Sequence, residues 1–131
     1  MQKNYEGFVI TGLGKGKEFG FRTINIILIN NEINIENGVY ATLVTIQNQT
    51  YKGMLYVGTR PTLNLKDFSI EIHLFDFNED IYHQQISFRI LRKIRDEIKF
   101  KDIATLVEQL HQDKEMVNNY LSSMLLNSSK L

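Results

Sequence analysis

Residues 12–25, Gly12-Leu13-Gly14-Lys15-Gly16-Lys17-Glu18-Phe19-Gly20-Phe21-Arg22-Thr23-Ile24-Asn25, place four glycines and two lysines ahead of a Thr-x-Asn pair. Glycines at 12, 14 and 16 permit positive φ and carry no Cβ to keep a ligand off the backbone. Successive free N–H groups can then converge on an anion, with Lys15 and Lys17 adding positive charge. Thr23 and Asn25 are two apart, so on an extended segment their side chains share a face. A hydroxyl beside an amide oxygen is a hard donor pair, suited to a magnesium ion that keeps most of its water and shares phosphate oxygens. Phosphate cradle followed by metal perch describes a nucleotide triphosphate site. A glycine- and lysine-rich loop between strands is also what a plain solvated turn looks like.

A second chemical candidate is Glu71, set between Ile70 and Ile72 in a strand-like run where carboxylates are depleted. One reading has Ser69, Glu71 and His73 decorating the wet face of a strand. The other has Glu71 lining a cleft and accepting a proton from a substrate hydroxyl. His73 reads as a supporting or surface histidine, and His83 and His111 have no partner at metal-binding spacing.

Counting excludes two other phosphate loops. The P-loop needs Gly, four residues, then Gly-Lys-Ser/Thr, but Gly16-Lys17 is followed by Glu18 and position 11 is Thr. The dinucleotide fingerprint needs glycines at i, i+2 and i+5, and from Gly12 and Gly14 the third position is Lys17. No helix pattern follows in either case.

Composition bounds the rest. A chain of 131 residues is one domain by length, here 1–131, and 43% apolar content can build a core. Fifteen basic and fifteen acidic residues cancel, which argues against a general nucleic-acid binder. Without cysteine there is no disulfide framework and no thiolate metal site. The start Met1-Gln2-Lys3-Asn4-Tyr5-Glu6 has no signal-peptide apolar region and no run approaches a membrane span, so a soluble cytoplasmic domain is expected.

The elements that must hold these residues follow from periodicity. Strands are expected over Tyr5–Thr11, Ile24–Ile29, Val39–Gln47, Thr50–Val57, Phe68–Phe77 and Gln85–Leu91. Asn37-Gly38 and Asn48-Gln49 mark turns, and Pro61 forces Arg60 to be extended. In the fifth strand Ser69, Glu71 and His73 share one face, and Ile70, Ile72 and Leu74 the other. From Asp102, a helix N-cap, the period becomes helical through Ile103, Leu106, Val107, Leu110, Val117, Leu121 and Met124. Six strands joined by short turns favour an antiparallel sheet that can close into a small barrel, with one long C-terminal helix.

Taken in order, the motifs resemble riboflavin kinase (flavokinase), including the kinase module of bifunctional bacterial FAD synthetases. They are Gly7-Phe8-Val9-Ile10-Thr11-Gly12, the loop from Gly14 to Phe21, Thr23-Ile24-Asn25, Gly38-Val39-Tyr40-Ala41, and Val57-Gly58-Thr59-Arg60-Pro61-Thr62. Further on come Glu71-Ile72-His73-Leu74-Phe75-Asp76-Phe77, Asp80-Ile81-Tyr82 and Ile94-Arg95-Asp96-Glu97-Ile98-Lys99-Phe100. The resemblance implies a six-stranded antiparallel Greek-key barrel with a C-terminal helix. It implies transfer of phosphate from ATP to the 5′-hydroxyl of riboflavin, giving FMN and ADP, with Glu71 as base. Thr23 and Asn25 would hold magnesium. Gly12, Lys15, Gly16 and Lys17 would line the nucleotide phosphates, and Leu74, Phe75 and Tyr82 the nucleotide. Arg95, Ile98 and Phe100 would bound the flavin. No prosthetic group beyond product FMN, no nucleic acid and no membrane are implied, and an adenylyltransferase (FAD synthetase) domain is a partner to be sought in a longer protein. Four positions depart from the family: Arg22 and Asp96 replace prolines, His83 replaces a glycine, and Tyr56 stands where bacterial members usually carry Asn. These departures are the support for one rival reading, a weakened flavin- or nucleotide-binding module; an oligonucleotide-binding barrel fits the topology but not the neutral charge.

Overall fold

Alternation of apolar and polar residues dictates strands that each have an inside and an outside, and six of them close on themselves. The computed structural model describes residues 3–10, 20–29, 33–59 and 69–129. Gly12, Lys15, Gly16 and Lys17, the candidate phosphate cradle, lie outside these residues, as do Arg60 and Pro61. The strands are β1 (Lys3–Ile10), β2 (Ile24–Leu28), β3 (Gly38–Ile46), β4 (Gln49–Gly58), β5 (Ser69–Leu74) and β6 (Gln85–Asp96), followed by helix α1 (Ile103–Ser129). All pairings are antiparallel, and the barrel order is β1-β2-β5-β4-β3-β6. Strands β3, β4 and β5 are sequential neighbours and β6 returns beside β3, the Greek-key arrangement.

The barrel interior takes one residue parity from each strand, among them Val9, Ile26, Val44, Leu55, Val57, Ile70, Ile72, Leu74 and Phe88. A second apolar layer lies outside, where Val39, Ala41, Leu43 and Met54 meet Val117 and Leu121 of α1, together with Phe21 and Phe75. β3 is therefore buried on both faces, which explains its unbroken run of β-branched and apolar residues. At the start of α1, the Thr105 N–H donates to Asp102 Oδ1 at 2.8 Å, the N-cap expected from sequence.

Several boundaries shift by a residue or two from the expectation, and three differences have a visible cause. The β3–β4 turn is Gln47-Asn48, one residue earlier than expected, with φ of 49° and 68°; two left-handed residues match the right-handed twist of the flanking strands. β5 stops at Leu74 because Asp76 turns left-handed at φ 54°. β6 runs five residues past Leu91 because bulges hide its alternation. Val39 pairs with Arg95 and Tyr40 with Lys93, passing Ile94, while Ala41 pairs with Arg92 and Thr42 with Ile90, passing Leu91. Both passed-over residues pack into the layer beneath α1.

Candidate active site

Residues directly opposite one another on paired strands point to the same face. Asn25 of β2 faces Glu71 of β5, Glu71 faces Tyr56 of β4, Tyr56 faces Val39 of β3, and Val39 faces Arg95 of β6. One cross-strand row thus carries the candidate metal ligand, the candidate base and a candidate flavin residue on the outside of the barrel. With strands about 5 Å apart, Glu71 and Arg95 stand roughly 14 Å from each other along it.

Glu71 is 1% exposed, so it is no decoration of a wet strand. Its Oε1 accepts a hydrogen bond from Thr23 Oγ1 at 2.8 Å, and its Oε2 accepts one from Ser69 Oγ at 3.1 Å. Thr23 lies just before β2, in line with the Asn25–Glu71 pairing, and so shares the Asn25 face. A hydroxyl that donates its proton to Glu71 keeps oxygen lone pairs for a cation. Thr23 and Asn25 are thus neutral hard oxygen donors beside a carboxylate, a set that fits magnesium whose remaining ligands are water and phosphate. Among the described residues, no three His, Cys, Asp or Glu side chains cluster as a metal cage.

His73, two residues beyond Glu71, is buried, and its Nδ1 lies 2.8 Å from the Arg22 carbonyl oxygen. A carbonyl only accepts, so Nδ1 carries the proton. Burial holds the His73 pKa below the ordinary imidazole value; the bond to Arg22 opposes that shift, and the Lys114 ammonium adds to it. The rings of Phe21 and Phe75 lie 5.2 and 5.7 Å from the imidazole, and Lys114 Nζ lies 5.1 Å above Phe75.

The remaining candidates divide between two regions. Thr23, Leu74 and Tyr82 line one cleft with Arg22, Ile72 and Asp80. Phe75 lies instead in the layer under α1. Arg95 donates through Nε to both Asp113 carboxylate oxygens, at 3.0 and 2.8 Å, and stacks 5.5 Å over Phe100. Asp113 is fully buried and also accepts from Gln109 Nε2 at 2.9 Å. Ile98 is 46% exposed on the segment linking β6 to α1.

Sequence reasoning missed the role of Glu97. Its carboxylate accepts from the Tyr56 hydroxyl and, at 3.0 Å, from the Thr59 N–H. A Cβ on Gly58 would overlap that carboxylate, so glycine is required for the approach. Asp113 did leave a signal: it falls on the apolar stripe Leu106, Leu110, Val117, Leu121, where a carboxylate demands a partner. The glycine replaced by His83 is explained by backbone, since His83 has φ 73°.

The model of the riboflavin kinase (flavokinase) family matches residues 2–121. A bifunctional riboflavin kinase/FMN adenylyltransferase of Bacillus subtilis is 37% identical over 122 residues, covering 91% of this chain and 39% of its own length. A Streptococcus pneumoniae chain named as a macrolide-efflux protein superposes with a TM-score of 0.79 at 35% identity, over 88% of this chain and 38% of that one. Riboflavin kinase from Trypanosoma brucei shares the fold, with a TM-score of 0.62 at 18% identity, over 92% of this chain and 80% of its own. An antiparallel Greek-key barrel with a buried carboxylate and two hard donors on its outer face is the class defined by this architecture. The chain belongs to the riboflavin kinase family. It spans about two fifths of the length of the Bacillus relative.

Proposed function

We propose that residues 1–131 form a single riboflavin kinase domain that transfers the γ-phosphoryl group of ATP to the 5′-hydroxyl of riboflavin, giving FMN and ADP. The observation that carries this reading is the buried Glu71 carboxylate facing Thr23 and Asn25 across the β2–β5 pairing. The hydroxyl oxygen forms a bond to phosphorus as the bond to the bridging β-phosphate oxygen breaks. Its proton passes to Glu71, and ADP leaves. Phosphoryl transfer asks chiefly for positioning and charge neutralisation, which a pre-set carboxylate and fixed donors supply. Magnesium, held through Thr23 and Asn25, would neutralise phosphate charge. Thr23, Leu74 and Tyr82 share the cleft in which the nucleotide would lie. Gly12, Lys15, Gly16 and Lys17 would supply the phosphate cradle. Arg95, Ile98 and Phe100 would bound the ring end of the flavin, with its polyol tail directed toward Glu71.

The adenylyltransferase activity in the name of the Bacillus relative belongs to a protein much longer than this chain, and a fused FAD synthetase domain is the partner proposed for a full-length protein. Among the described residues no helix is long and apolar enough to cross a membrane. Incubating the chain with riboflavin, ATP and magnesium and separating flavins by chromatography tests the reading. FMN is the expected product. Tight flavin binding without turnover would favour the binding-module reading instead.

A further inference from the structure

The β2–β5 ladder ends at Ile24–Ile72, one residue short of Thr23. Beyond that point two side chains of β5 hold the incoming chain: Glu71 takes the Thr23 hydroxyl, and His73 takes the Arg22 carbonyl. We infer that His73 is a positioning residue that fixes the Arg22–Thr23 backbone, and through it the Thr23 hydroxyl, for the magnesium-nucleotide end of the site. The inference rests on the kinase reading.

The geometry distinguishes this role from general packing. The imidazole has two nitrogens, but only Nδ1 is engaged; Nε2 is buried with no hydrogen-bond partner among the described residues. A residue kept only to fill space between Phe21 and Phe75 would be better replaced by an apolar ring, because an unsatisfied buried nitrogen is unfavourable. The unsatisfied Nε2 is tolerated where the Nδ1 bond is needed. That bond anchors an irregular segment, residues 21–23, between the apolar layer under α1 and the cleft lined by Thr23. Arg22 itself is exposed, so its backbone, not its side chain, is the part that the fold secures.

The test uses the difference in reach between two amides. An asparagine amide occupies the position of Nδ1, one atom from Cγ, whereas a glutamine amide reaches only toward Nε2. In His73→Asn the Arg22 bond is retained, and in His73→Gln and His73→Phe it is lost. Expected are ADP-magnesium dissociation constants within about threefold of wild type for the Asn variant and weakened roughly tenfold for the other two, the scale of one lost hydrogen bond. Riboflavin affinity should stay within about twofold in all three. Amide hydrogen exchange at Thr23 and Ile24 should rise in the Gln and Phe variants only. Equal nucleotide affinity in the Asn and Gln variants, or parallel loss of nucleotide and flavin binding, would overturn the assignment. A wild-type chain that binds no nucleotide and forms no FMN would instead overturn the kinase reading, and this role for His73 with it; the exchange pattern would then report only whether the backbone anchor exists.

Discussion

At the scale of single residues, Glu71 combines burial with two hydroxyl donors, and that combination makes it the strongest candidate for a base. Glu71→Gln keeps the shape and one acceptor but cannot take up the proton, so turnover should fall at least about 100-fold with flavin affinity largely unchanged. Steady-state FMN formation checks this, and near-normal turnover would remove Glu71 from the chemistry. Thr23→Val and Asn25→Ala each delete one hard donor and should raise the magnesium-ATP requirement without unfolding the barrel. Titrations of both nucleotide and metal would show it, and curves superimposable on wild type would exclude the coordination. His83 offers a stability prediction of opposite sign. Its left-handed backbone is strained for a residue with a Cβ, while glycine has greater freedom to lose on folding. His83→Gly should therefore be neutral or stabilising by up to about 1 kcal/mol, and His83→Val destabilising, as read by urea denaturation.

At the scale of elements, α1 is held to the barrel by an apolar layer and by the Arg95–Asp113 ion pair, whose side chains are 14% and 0% exposed. Removing Asp113 leaves a guanidinium facing a dry interface, and breaking such a pair typically costs about 3–5 kcal/mol. Asp113→Ala should lower the urea midpoint accordingly, whereas joint replacement of both partners by apolar residues should recover much of the loss. A single variant with wild-type stability would mean the pair is poorly coupled to helix docking. This element also shows what a sequence can and cannot reveal. Period-two alternation placed Ile70, Ile72 and Leu74 inside and Glu71 outside, because side-chain direction in a strand is a local property. The extension of β6 stayed hidden, because the bulges at Leu91 and Ile94 break that alternation. The His73–Arg22 contact depends on β2 and β5 becoming neighbours, and pairing across 51 residues leaves no local trace. The resemblance to a family supplied Glu71, Thr23 and Asn25 as a set, and the β2–β5 pairing gives the reason they belong together.

At the scale of the whole molecule, the titrating groups set a window of stability. His73 has a folded pKa below its ordinary 6.5, so the unfolded chain binds its proton first as pH falls, and stability present above about 6.5 is lost on acidification. On the alkaline side, burial raises the Tyr40 pKa above its ordinary 10.0, so the unfolded chain releases that proton first and stability falls as pH rises past it. Lys93 acts in the same direction. Its hydrogen bonds to Asp96 and Glu36 raise its pKa, so the stabilisation it contributes is complete below its unfolded value and is lost as pH rises toward the folded one. Asp102, whose pKa is lowered by its capping bonds to Thr105, adds a further loss only in stronger acid. The melting temperature should therefore be flat from about pH 7 to 9.5 and decline on both sides. His73→Phe isolates the acid limb: whatever its absolute stability, its midpoint should vary less than that of wild type between about pH 6.5 and 5, because no proton is taken up at that site on unfolding. Parallel curves for the two proteins over that interval would assign the acid limb to other groups.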